Sequence, residues 1–257
     1  MFINNFDPVA FEIFSLQIRW YSLSYIFGIL LGWGYCKKII NNKNFEQLFD
    51  DLISKIILGI IIGGRLGYVI FYNPKYYLGN PIEILKFWNG GMSFHGGLIG
   101  IIIVAIIFGK KKNQNPFKFL DLIAIAAPIG IFFGRVANFI NSELYGRVTD
   151  IYWSVIFVKV DKLARHPSQL YEAFFEGILL FILMNYFYKK NFILSPGLIS
   201  SLFLIFYSLF RFLIEFFRQP DEQLGFVIYN LSMGQIISIC SFLVGSCLFF
   251  KTKNEVK

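Results

Sequence analysis

Seven apolar runs alternate with short polar segments along the chain: Ile18–Cys36, Leu52–Tyr72, Gly91–Gly109, Phe119–Ile140, Gln169–Tyr188, Gly197–Phe217 and Val227–Phe250. A helix needs roughly 20 mostly apolar residues to cross the hydrocarbon core of a bilayer, and each run supplies them. The pattern predicts an all-α, polytopic integral membrane protein with seven transmembrane helices. We read residues 1–257 as a single transmembrane domain, without a linker or second domain. Lysine clusters follow the first, third, fifth and seventh runs: Lys37, Lys38 and Lys43; Lys110 to Lys112 with Lys118; Lys189 and Lys190; Lys251, Lys253 and Lys257. Such positive segments stay on the cytoplasmic side, which puts the N-terminus outside and the C-terminus inside. The longest outer segment, about 141–168, is then periplasmic. Its stretch IYWSVIFVKV predicts a small strand or hairpin.

Composition supports the bilayer. The chain is 56% hydrophobic, 19% aromatic and only 16% charged, more apolar surface than a soluble core hides. The formal net charge of +8 would suit nucleic acid, but the positive residues lie in the loops between runs, so no nucleic-acid role is expected. Three cysteines, Cys36, Cys240 and Cys247, show neither a metal-ligand nor a disulfide spacing. MFINNFDPVAFEIF lacks a basic start and a small-residue cleavage site, so no cleaved signal peptide is expected. Glycines recur at four-residue spacing, Gly28/Gly32, Gly59/Gly63, Gly63/Gly67 and Gly130/Gly134, which predicts close helix packing in lipid.

The stretch GRVANFINSELYGRVTD, Gly134 to Asp150, breaks the apolar pattern with charge before its run has ended. Arg65, Arg135, Arg211 and His95 also lie inside runs, where a charge costs about 2.5–3.5 kcal/mol. With the orientation above, Arg65, Arg135, Arg211, His95 and Tyr21 all fall roughly 5–10 Å beneath the outer boundary. In the sixth run Tyr207, Arg211, Glu215 and Arg218 fall within about 80° of one another on a helix, a single polar stripe. Arg135 and Asn138 share a face of the fourth run. The fifth and seventh runs read as the least polar inside.

Arginines at headgroup depth suit a lipid phosphate, which guanidinium grips in a bidentate way. No aspartate-rich motif accompanies them, which disfavours a cation-dependent phosphotransferase. His95, set among glycines in GGMSFHGGL, is a candidate general base. His166, in RHPSQLYE at the mouth of the fifth run, is a possible accessory group.

GGMSFHGGLIG, GRVANFINSELYGRVTD, RHPSQLYE and FRFLIEFFRQPD, in this order, resemble the prolipoprotein diacylglyceryl transferase family. The likeness runs from Ile18 to the SMGQI that begins at Ser232. It implies a multi-pass enzyme of the bacterial inner membrane, its active site toward the periplasm, with membrane lipids around it. Such an enzyme moves the diacylglyceryl group of phosphatidylglycerol onto the lipobox cysteine thiol of a prolipoprotein, forming a thioether and releasing glycerol 1-phosphate. It implies no cofactor and no metal. By the same resemblance, Arg135 and Arg211 are catalytic with His95, Tyr207 and Glu215, while Tyr21, Asn138, Glu143, Gly146 and His166 bind substrate; Arg65, from its depth alone, is a substrate-binding candidate whose role is open between holding lipid phosphate and pairing with a neighbour. Thiolate is the attacking species and the departing phosphate needs charge stabilisation. The base is left open among His95, Tyr207 and Glu215. Two departures stand out: Ser142 replaces a usual glycine, and the outer segment is short. An anion or lipid transporter is the rival reading; no convincing internal repeat supports it.

Overall fold

In the computed structural model the chain is described for residues 1–14, 16–86, 90–191, 195–220, 225–228 and 230–254. Asp221 of the FRFLIEFFRQPD motif, Tyr229 of the seventh run and Lys257 lie outside them. The N-terminus forms strands β1 (Phe2–Asn4), β2 (Val9–Ile13) and β3 (Leu16–Arg19), followed by helix α1 (Trp20–Ile39). Helix α2 (Lys43–Phe71), the short α3 (Pro74–Gly79), a 3₁₀ turn (Pro81–Leu85), α4 (Phe94–Lys111) and α5 (Pro116–Asn141) come next. Strands β4 (Val155–Phe157) and β5 (Ala164–Arg165) precede a rod made of α6 (Ser168–Glu172), a π-helical turn (Ala173–Leu179) and α7 (Leu180–Asn191). The chain closes with α8 (Leu198–Ile214), strands β6 (Phe226–Ile228) and β7 (Leu231–Ser232), and α9 (Met233–Asn254).

Among the described residues, five helical stretches are long and apolar enough to cross a membrane: Lys43–Phe71, Phe94–Lys111, Pro116–Asn141, Ser168–Lys190 and Met233–Asn254. The protein is therefore a multi-pass, mainly helical membrane protein. The other two expected spans fold as helices with less apolar length. α1 opens on Trp20, Tyr21, Ser22 and Ser24, and α8 has 17 residues.

Three boundaries differ from the sequence reading. Ile18 belongs to β3, because VAFEI and LQIR alternate with period two and pair antiparallel, with Gln17 Nε2 donating to Glu12 Oε1 at 2.8 Å. Val227 belongs to β6, so the last helix starts at Met233. α2 starts at Lys43 rather than Leu52. Asn42 Oδ1 accepts from the Phe45 N–H at 3.1 Å, and this cap makes the polar stretch before Leu52 helical.

The chain forms two compact units, residues 37–120 and residues 1–36 with 121–257. In the first, α2 and α4 pack through glycines. A Cβ on Gly67 would lie 2.8 Å from Gly96 Cα, and one on Gly59 would lie 3.0 Å from Gly100 O. In the second, a Cβ on Gly28 would lie 2.8 Å from Gly130 Cα. These are the close approaches that small residues permit in lipid. Gly134 departs from the expectation: nothing among the described residues comes within 4 Å of its Cβ position. Buried Asp121 on α5 caps α8, whose preceding Gly197 (φ 102°) offers no side chain. It accepts from Gly197 N–H at 2.7 Å, Ser200 N–H at 2.8 Å and Ser200 Oγ at 2.6 Å.

The expected strand in IYWSVIFVKV is β4. It pairs antiparallel with β5 and parallel with β1, roughly 150 residues earlier. Phe139, Val155 and Phe157 form its buried core, with Tyr145 and Val160 against it. Buried Asn4 donates to Phe139 O at 2.6 Å and so ties this sheet to the end of α5.

Candidate functional site

The second unit holds a buried cluster of charge built from three chain segments. α5 supplies Arg135, the α6–π rod supplies Glu172 and Glu176, and the end of α8 with the residues after it supplies Tyr207, Arg211, Glu215 and Arg218. Arg135 Nη1 lies 3.1 Å from Glu172 Oε2 and its Nη2 lies 3.0 Å from Glu176 Oε2. Arg211 Nη1 lies 2.6 Å from Glu172 Oε1 and its Nη2 lies 2.6 Å from Glu215 Oε2. Arg218 Nη1 reaches Glu172 Oε1 at 3.4 Å. Glu215 Oε1 accepts from Ser232 Oγ at 2.8 Å, and Tyr207 sits within electrostatic reach of Arg135, Arg211, Glu172 and Glu176.

Each element delivers its group for a local reason. The four-residue spacing on α8 stacks Tyr207, Arg211 and Glu215 on one face. On the rod, Glu172 ends α6 and Glu176 lies in the π-helical turn, a geometry that re-aims side chains and recurs at functional sites. Both glutamates are fully buried, while the Arg135 and Arg211 side chains keep 16% and 12% exposure. The arginine side chains therefore form the more accessible edge of the cluster and the carboxylates the floor. Each guanidinium has five N–H donors, so donors are left to meet an anion at that edge.

The remaining predicted residues fall into three groups. Tyr21, on α1, exchanges a hydrogen bond with Tyr25 at 3.1 Å, and Tyr25 lies within electrostatic reach of Arg135. Asn138, Glu143, Gly146 and His166 form a strap beside the cluster. Asn138 Nδ2 donates to Glu143 Oε2 at 3.1 Å, and Gln169 Nε2 donates to Glu143 O at 2.6 Å. Gly146 N–H donates to His166 O at 3.0 Å, and Arg147 N–H donates to Phe217 O at 2.9 Å, just beyond α8. A Cβ on Gly146 would lie 2.8 Å from Phe217 O, so only glycine fits this strap. Arg165 Nη1 donates to Gly146 O at 3.1 Å, and its other bonds to Asp161 hold that carboxyl below the usual carboxylate range. His166 faces Tyr171 Oη at 3.3 Å from Nδ1, with its ring on Phe217; burial pushes its pKa below that of free histidine. Ser142, where the resembling family usually has glycine, takes φ 61°, the left-handed region that glycine enters freely.

Arg65 and His95 belong to the other unit. His95 is exposed in the first turn of α4, edge-on to Phe94. Ser93 caps that turn, accepting from Gly96 N–H at 3.3 Å while its own N–H donates to Gly64 O at 2.8 Å. Arg65 corrects an expectation. It does not present its donors to a ligand: it is buried, and it donates to Ile84 O at 3.0 Å, Gly90 O at 2.5 Å, Gly91 O at 3.2 Å and Glu83 O at 2.6 Å. It clips together both ends of the segment that leads into Ser93 and His95.

The family model described as prolipoprotein diacylglyceryl transferase covers residues 8–251. The chain belongs to the prolipoprotein diacylglyceryl transferase family. A phosphatidylglycerol–prolipoprotein diacylglyceryl transferase of Rickettsia bellii is 53% identical over 253 residues, covering 97% of this chain and 96% of its own. Those of Rickettsia felis and Rickettsia typhi are each 51% identical, over 98% and 99% of this chain and 98% and 100% of theirs.

In this member of the family the sequence reading overlooked Glu172 and Glu176. It took the fifth run as one of the least polar, yet that run carries the floor of the cluster. Two acids four residues apart in an apolar run were the available signal, because arginines placed within apolar runs need counter-charges.

Proposed function

We propose that this chain transfers the diacylglyceryl group of phosphatidylglycerol to the lipobox cysteine thiol of a prolipoprotein, the first step of bacterial lipoprotein maturation. Family membership across nearly the whole chain supports the reaction. The observation that carries the mechanism is the convergence of Arg135 and Arg211, from two helices, on one buried glutamate. Seven helices cross the inner membrane in this reading, N-terminus out and C-terminus in, with the cluster toward the periplasm. The lysine clusters support that orientation.

The thiolate attacks the glycerol carbon that bears the phosphate ester. The S–H bond breaks, an S–C bond forms, and the C–O bond to phosphate breaks as glycerol 1-phosphate leaves. Arg135 and Arg211 hold the phosphate oxygens through the donors left over from the glutamates, and so favour the charge that builds as the bond breaks. Glu172 fixes both guanidiniums, so they need no reorganisation at that moment. The thiol's proton goes to a base. The candidates are His95, Tyr207 and Glu215, and Glu215 is already engaged by Arg211 and Ser232. Tyr21, Asn138, Glu143, Gly146 and His166 shape the walls around lipid and peptide.

The test is direct. Purified protein is mixed with phosphatidylglycerol vesicles and a lipobox peptide, and peptide mass and glycerol 1-phosphate are followed. The expected result is a diacylglyceryl-peptide and equimolar glycerol 1-phosphate, with neither from a Cys→Ser peptide. Folded protein that yields neither product overturns the reading.

A further inference from the structure

The three carboxylates of the cluster are held unequally. Glu172 meets three guanidiniums, at 3.1 Å, 2.6 Å and 3.4 Å. Glu215 meets Arg211 at 2.6 Å and the Ser232 hydroxyl at 2.8 Å. Glu176 meets Arg135, at 3.0 Å, as its one guanidinium contact among the described residues, and its Oε1, like Glu172 Oε2 and Glu215 Oε2, is buried with no hydrogen-bond partner among them. The groups that face Glu176 are Arg135 from α5, Tyr207 and Arg211 from α8, and Glu172 from its own rod.

Charge counting sharpens the contrast. Three guanidiniums against three ionised carboxylates make a neutral cluster, with no net pull on an anion. A phosphate diester brings one negative charge. Two carboxylates sharing one guanidinium away from water repel, and the less supported of the two takes up a proton. On these contacts that one is Glu176.

We propose that Glu176 is a positioning residue that enters the cycle protonated, leaving the cluster one net positive charge with which Arg135 and Arg211 seat the lipid's anionic phosphate. Its Oε2 stays on Arg135 and keeps that guanidinium aimed at the edge. Its proton resides on Oε1, the oxygen without an N–H to accept. The inference rests on the transferase reading for the identity of the anion, and adds the ionisation state that makes the site receptive.

The experiment measures phosphatidylglycerol binding without peptide, so that no thiol titrates, on wild type, Glu176→Gln and Glu176→Ala in detergent. Lipid-dependent thermal stabilisation is the readout. The wild type is expected to lose affinity by about fivefold or more as the pH is raised across the range in which Glu176 ionises and the net charge vanishes. Glu176→Gln, a fixed neutral isostere, is expected to change by less than about twofold over that range, and Glu176→Ala to bind weakly throughout. A Glu176→Gln protein that follows the wild-type pH dependence, or binds as weakly as the alanine variant at neutral pH, overturns the proposal. Should Glu176→Gln not fold, the wild-type infrared spectrum with carboxyl-labelled glutamate decides. A protonated glutamic acid carbonyl band at neutral pH supports the proposal, and its absence overturns it. Loss of transferase activity in the wild type would instead strike the reaction assignment, so the two failures are separable.

Discussion

Glu172→Gln removes one charge from the point where the cluster closes. The amide keeps the side chain's volume and one acceptor oxygen. It cannot accept from Arg135 and Arg211 together, because its second position is now a donor pointed at a guanidinium. Both close contacts, at 3.1 Å and 2.6 Å, are fully buried on the glutamate side. Removing one partner of such a pair costs about 3–5 kcal/mol, and we take about 3 kcal/mol because the isostere retains one bond. For a chain of this size that lowers the midpoint of thermal unfolding by roughly 6–12 °C. Turnover should fall further than stability implies, since neither guanidinium is then fixed for the phosphate; a loss of about a hundredfold corresponds to about 2.7 kcal/mol of transition-state stabilisation. The assays are thermal unfolding in detergent and diacylglyceryl transfer to a lipobox peptide at saturating lipid. A variant whose midpoint stays within about 2 °C of wild type and whose turnover stays within about threefold would show that Glu172 does not organise the arginines.

Arg65→Met should leave α2 helical but release the segment it clips, raising hydrogen exchange of the Ser93 and Gly96 amides by about tenfold or more; unchanged exchange would mean its four carbonyl contacts do not hold that segment. Asp121→Ala should lower stability by about 2 kcal/mol through loss of the α8 cap, with the transfer reaction's KM unaffected; a stability change under about 0.5 kcal/mol would refute the cap. His166 has its folded pKa below its unfolded value of 6.5. The unfolded chain therefore binds a proton first, and this contribution to stability, present above that value, is lost as pH falls through the lower folded pKa. His166→Gln should flatten the acid-side fall in unfolding midpoint; an unaltered profile would show that His166 does not cause it.

The polar stripe of the sixth run was legible because helix periodicity alone sets it. Tyr207, Arg211 and Glu215 do share one face, and the depth argument brought Arg135 to the same cluster. The partners of these arginines were not legible from the same reading. Glu172 stands at the end of RHPSQLYE and Glu176 within an apolar run, and neither was picked out, because only a π-helical turn and packing across helices put both on Arg135. Arg65 shows the opposite case: its depth suggested a lipid contact, whereas the carbonyls of Glu83, Ile84, Gly90 and Gly91 take its donors. The pairing of Phe2–Asn4 with Val155–Phe157 joins segments too distant for any local pattern to forecast. The antiparallel pair Val9–Ile13 and Leu16–Arg19 was hidden because Ile18 reads as the start of the first helical run. Ser142 was visible as a departure from the family pattern, but its left-handed backbone was not.

The central claim is that guanidiniums from α5 and α8 meet a single lipid phosphate. Solid-state NMR on protein labelled at arginine Cζ, reconstituted with phosphatidylglycerol, reads it through carbon–phosphorus dipolar coupling, with Arg135→Lys and Arg211→Lys assigning the signals. The account predicts that two guanidinium carbons couple to phosphorus and that each substitution removes one of them. Coupling from neither residue, or a substitution that leaves both coupled signals in place, would contradict it.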